Sequence, residues 1–148
     1  MMRWIQQQAI NGIENTPLSF QMFLPEGLIG MNELKRFKGI VEKDMPFIEL
    51  RSLDEEHLGF WAMNPFPYVD RYEIEVSDED LDALKIKCLE DAFFFTLATM
   101  NKSNITLNLM APILLNKETQ IGKQIVLENY KNYSARHVIY EGAVQCLS

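Results

Sequence analysis

Cysteine is scarce in this chain of 148 residues: Cys88 and Cys146 stand far apart, with no C-x-x-C spacing. A disulfide framework is thereby excluded, and free thiols suit a reducing compartment. Histidine is equally scarce, at His57 and His137 only. The G-x-S-x-G elbow, H-E-x-x-H and a glycine-rich phosphate loop are absent, so no hydrolase, zinc-protease or nucleotide signature is present. Positive charge is in deficit, with 14 Lys+Arg against 21 Asp+Glu and a net charge of −7. That balance argues against a nucleic-acid binder, which shows a basic footprint. Long apolar runs are missing too. Ala92–Asn101 is uncharged but too short for the roughly 20 residues that a spanning helix needs, and it carries Thr96 and Thr99. Met1–Gln8 has no apolar region after its one Arg, so a cytoplasmic protein with no membrane role is expected.

What is present is ordinary globular composition: 47% apolar and 24% charged residues. A chain of this length buries enough surface to fold as one domain without a disulfide or metal staple. We place that domain at residues 1–141, with 142–148 as a tail. Turn signals recur at short spacing, which favours many short strands. Asn11-Gly12 is a hairpin signal, because a type I′ turn needs positive φ at both central positions. It separates Trp4–Ala9 from a run at Leu18–Phe23. Leu24-Pro25-Glu26-Gly27-Leu28-Ile29-Gly30 cannot continue a central strand. A short helical turn is expected at Met31–Phe37, then strands at Phe37–Glu42, Phe47–Leu53 and Leu58–Met63. Asp54–His57 is an acidic turn, and Asn64-Pro65-Phe66-Pro67 stops the next strand. Tyr72, Ile74 and Val76 alternate with Glu73 and Glu75, the pattern of a half-buried strand.

One helix is well signalled. Ser77-Asp78-Glu79-Asp80 reads as a capping box, Leu81 and Leu84 share a face, and the helix should end near Lys85–Lys87. Ala92–Met100 is apolar on both faces and reads as a covered strand. Ile105, Leu107 and Leu109 alternate with Thr106 and Asn108. Ala111-Pro112 then marks a strand end, bulge or edge. Gln124–Leu127 is the last clear strand. Strands that follow one another without long crossovers make an antiparallel sheet. The fold class is therefore mainly β: a small antiparallel β-barrel-like domain with one or two short helices.

Chemistry is thin. Asp54–His57 has adjacent ligands with the wrong spacing for zinc, and Asp78–Asp82 lacks the central glycine and late glutamate of a calcium loop. No cofactor or metal site is read. Arg136-His137 reads as a structural arginine beside a surface histidine, and Cys88 as a small buried hydrophobe. The main feature is electrostatic: Glu73–Asp91 holds eight acids and two bases, most of the net charge. A solvated helix face explains such a run, as does a docking face for a basic partner. The apolar residues of Leu24–Leu28 and Asn64–Tyr68 either plug the barrel or, if exposed together, mark an interface.

These segments, in order, resemble the FliW family of bacterial flagellar assembly factors. Leu24–Gly30 is similar to that family's Pro-Glu-Gly-Leu loop, with Ile29 where a proline is usual. Phe47–Asp54, Asn64–Phe66, Val76–Leu84, Thr106–Asn116, Gly122–Leu127 and Tyr133–His137 resemble its later segments, in register from about Gly12 to His137. The resemblance implies a non-catalytic binding protein. It would bind flagellin and sequester CsrA, a basic RNA-binding repressor of flagellin translation. The partners would compete, and the protein would touch no nucleic acid directly and be monomeric when free. An export chaperone for flagellin without a CsrA role is the alternative. The acids Asp78, Glu79 and Asp80 would steer a basic partner. The apolar centre is expected at Pro25, Glu26 and Leu28 and at Asn64, Pro65 and Phe66. Asn108, Met110 and Asn116 come next, on a strand expected to offer an open edge.

Overall fold

The computed structural model describes residues 2–4, 18–41 and 45–141. The Asn11-Gly12 hairpin, the 142–148 tail and Cys146 lie outside the described residues. Eleven strands are described: β1 (Met2–Trp4), β2 (Ser19–Phe23), β3 (Arg36–Val41), β4 (Phe47–Ser52), β5 (Gly59–Met63), β6 (Ile74–Val76), β7 (Ala92–Met100), β8 (Asn104–Leu107), β9 (Ile113–Asn116), β10 (Gly122–Gln124) and β11 (His137–Glu141). One α-helix, α1 (Asp78–Leu84), and 3₁₀ turns at Leu89–Asp91 and Tyr130–Asn132 complete the elements.

The main sheet runs β10-β9-β7-β5-β4-β3-β2, every pairing antiparallel. β7 organises it. One edge of β7 pairs with β5; the other pairs with β9 along Ala92–Phe95 and with β8 along Ala98–Met100. The chain between β8 and β9 holds Pro112, so the ladder breaks there as the sequence predicts. The sheet curls, and a single parallel bridge between Phe23 and Ile121 brings its two ends together at one corner. A small β1–β6 sheet stands apart from this path.

Because side chains alternate across a strand, the curled sheet carries two cores. Its concave face collects Phe20, Met22, Phe37, Ile48, Leu50, Ala62, Phe95, Ile113 and Leu115, plugged by Leu24, Leu28 and Leu34. Gly39 faces this core, and a Cβ there would lie 2.2 Å from the Phe20 ring. The other face, from Phe47, Met63, Phe94 and Leu114, is covered by residues of 66–86 and by Ile125 and Leu127. β7 is therefore covered on both sides: one face buries Ala92, Phe94, Thr96 and Ala98, and on the other Phe95 is buried, Phe93 and Leu97 are half-buried and Thr99 is exposed. Tyr72 lies between Phe66, whose tilted ring is 5.4 Å away, and Tyr133, edge-on at 4.8 Å, and its hydroxyl donates to the Leu109 carbonyl at 2.7 Å. Burial pushes the Tyr72 hydroxyl pKa up.

Several boundaries differ from the sequence reading. Met31–Phe37 makes no helix: Leu34 N–H bonds Met31 O in a turn, and β3 already begins at Arg36. The final expected strand lies earlier, at Gly122–Gln124. Ile125 and Leu127 still bond back to Pro112 and Met110. Cys88 is exposed rather than buried, because its N–H turns toward the Asp91 carboxylate at the helix exit. β11 was not foreseen.

Candidate partner-binding groove

The loop after β2 is built by its own sequence. Leu24 and Leu28 are buried and anchor it. Gly27 has φ +72°, and a Cβ there would lie 2.3 Å from the Asn32 carbonyl oxygen, so only glycine fits this turn. Gln124 on β10 holds the loop from below: its side-chain oxygen accepts from Ile29 N–H at 2.8 Å, and its amide donates to Ala111 O at 3.2 Å. The result lifts Pro25 and Glu26 into solvent on a fixed backbone.

The α1 helix forms as its cap predicts. The Ser77 hydroxyl accepts from Asp80 N–H at 3.1 Å. The chain then leaves through Lys85 in the left-handed region, with Ile86 N–H bonded to Leu81 O. Leu81 and Leu84 face the core. The Asp80 carboxylate is directed at a residue the sequence did not single out: it accepts from Lys123 Nζ at 2.6 Å. Glu26 lies 3.4 Å from the same ammonium. Lys123 thus ties the loop to the helix, and these partners, Asp80 first, raise its pKa above the ordinary 10.5. Between the three runs an open groove of about 500 Å³. Its apolar walls are Ile29 and Val126, each 54% exposed.

The sequence-predicted residues divide on this geometry. Glu26, Leu28 and Asp80 line the groove, while Pro25 is exposed beside Glu26, and Asp78 and Glu79 are exposed on the first turn of α1. Asn64, Pro65 and Phe66 do not offer an exposed apolar surface. The Asn64 side chain caps Phe66 N–H at 2.9 Å, and Pro65 and Phe66 are buried, the latter 4.9 Å from the Phe94 ring. Asn108 caps the β8–β9 break by accepting from Met110 and Ala111 N–H. Met110 is half-buried in that break. Asn116 is buried and donates to Leu84 O at 2.8 Å, closing the end of α1. The expected open edge is absent at this strand, since β9 is paired by β7 and β10 and β8 by β7 and β11. Lys123, Ile29 and Val126 were missed. A lysine between Gly122 and Gln124 carries no local motif, and only the fold brings it to Asp80, 43 residues away.

A family model described as "FliW protein" matches residues 5–139. The chain belongs to the FliW family. It is 34% identical over 122 residues to a flagellar assembly factor FliW of Clostridium novyi (strain NT), covering 80% of this chain and 85% of that one. It is 36% identical over 117 residues to that of Geobacillus sp. (strain WCH70), covering 78% and 81%. A crystal structure of the flagellar assembly factor FliW superposes with a TM-score of 0.73 at 34% identity, covering 81% of this chain and 85% of that one. The curled antiparallel sheet is therefore the FliW fold, and Leu24–Gly30, α1 and β10 all lie inside the matched span. Among the described residues no cluster of His, Cys, Asp and Glu could hold a metal, and no helix is long and apolar enough to cross a membrane.

Proposed function

We propose that this chain is a non-catalytic flagellar assembly factor that binds flagellin and sequesters a CsrA-type RNA-binding regulator in the cytoplasm. Flagellin in excess occupies the chain and leaves CsrA to repress flagellin translation. Export of flagellin releases the chain to capture CsrA, and repression lifts. Residues 1–141 act as one domain, with 142–148 as a tail, and the free protein is monomeric. The observation that carries this reading is the family match across residues 5–139. The acidic stretch from Glu73 to Asp91 supports it, since complementary charge speeds capture of a basic partner.

Antagonism implies a coupling free energy between this protein and RNA on CsrA, and coupling is reciprocal. The test uses a fluorescent flagellin leader RNA bound to CsrA. Adding this chain should release the RNA, and RNA should weaken capture of CsrA by the same factor. Capture of CsrA with RNA affinity unchanged overturns the antagonism.

A further inference from the structure

We infer that the groove between the Leu24–Asn32 loop and β10 is the docking site for a cationic segment carrying an apolar side chain. Lys123 there acts as an internal stand-in for the partner's cation. This rests on the proposed binding of a basic regulator and assigns that binding a place and a chemistry.

Three observations converge. Ile29 and Val126 are each more than half exposed, yet both sit on backbone held by buried neighbours, Leu28 and Gln124 beside Ile29 and Ile125 and Leu127 beside Val126. Pre-set apolar surface of this kind costs little ordering on binding. The acids have one-sided charge: Glu26 and Asp80 line the groove, Asp78 and Glu79 stand on the adjoining turn, and Lys123 is the one cation among the described lining residues. The two ion pairs are also unequal. Asp80 is the shorter and more shielded, at 2.6 Å and 15% side-chain exposure, whereas Glu26 is at 3.4 Å and 71% exposed.

That inequality dictates how the site works. Asp80 keeps Lys123 and so holds β10 against α1, while the bond from Ile29 N–H to Gln124 keeps the loop on β10. Glu26 is bound loosely enough to exchange Lys123 for an incoming lysine or arginine. The neighbouring apolar side chain of the partner then covers Ile29 and Val126 and excludes water from the new pair. Charge supplies rate and salt dependence, and the apolar contact supplies residence time.

The test titrates the full chain and four variants with the CsrA-type regulator at low and moderate salt, after thermal melts establish that each variant folds. Glu26→Gln should weaken binding about 3-fold or more at low salt and flatten the salt dependence. Val126→Asp, at an exposed position, should weaken it about 10-fold or more. Lys123→Met frees Glu26 and should tighten binding about 2-fold or more at low salt. Glu56→Gln changes the net charge equally on an exposed turn that does not line the groove and should match wild type. If wild type binds and Glu26→Gln and Val126→Asp bind equally well, the groove is overturned while the proposed function stands. Weakening by Lys123→Met overturns the stand-in role. If wild type does not bind at all, the proposed function fails and takes the groove with it.

Discussion

Lys123 on β10 donates to Asp80 on α1 at 2.6 Å, joining a helix N-terminal turn to a strand 43 residues later. The lysine is 30% exposed and the aspartate 15%, so solvent screens the pair only in part. The folded pKa of Lys123 lies above the ordinary 10.5. The stabilisation it brings is therefore complete below that ordinary value and lost as pH rises through the folded one. Lys123→Met should cost about 0.5–1 kcal/mol near neutral pH. Denaturant titrations should show this difference shrinking above about pH 10.5.

Phe66 resembles a binding residue in the sequence but behaves as core. It is fully buried against Tyr72 and Phe94. Phe66→Ala should cost about 3–5 kcal/mol of folding stability. At temperatures where the variant remains folded, its partner affinity should match wild type. Calorimetric melting and titration on the same sample separate the two effects.

Asn116 does several jobs at once. Its amide donates to Leu84 O and Lys85 O, and its side-chain oxygen accepts from Glu118 and Thr119 N–H. Asn116→Ala leaves the Leu84 carbonyl buried without this donor and should cost about 1–3 kcal/mol. Hydrogen exchange should speed most in α1, because this contact ties the end of that helix to β9.

Asp54 is the acid-side counterpart of Lys123. Its carboxylate accepts from Lys35 and Arg36 N–H at 2.9 and 2.8 Å and pairs with the Arg36 guanidinium. The Arg36 and Lys35 backbone bonds hold its pKa below the ordinary 3.8. A depressed carboxylate stabilises the fold above its unfolded pKa, and the contribution disappears as pH falls through the folded value. Asp54→Asn should lower the denaturation midpoint near neutral pH. The gap from wild type should close below about pH 3.8.

The fold was legible wherever one physical signal acted alone. Ser77 with its three following acids predicts α1, and the apolar run of β7 predicts burial on both faces. The signal failed where two elements share a residue's allegiance. β11 pairs with β8 through a register shift between Val138 and Tyr140, so its alternation is broken and the polar Arg136-His137 hides its start. At Met31–Phe37 a helical turn is expected from the sequence, but Leu34 is buried with Leu24 and Leu28 in the concave core and the pairing of Arg36 with Phe23 starts a strand. Half the groove was readable, because Glu26 and Asp80 sit in recognisable motifs. Lys123 and Val126 were not, since nothing near them in sequence says which acid or wall they meet.

The central claim is capture of a basic regulator in competition with flagellin. One calorimetric titration tests it most directly: this chain into the CsrA-type regulator of the same organism, with and without saturating flagellin, at low and moderate salt. The account predicts salt-sensitive binding that flagellin abolishes. Undiminished binding in the presence of flagellin, or binding to flagellin alone, contradicts it.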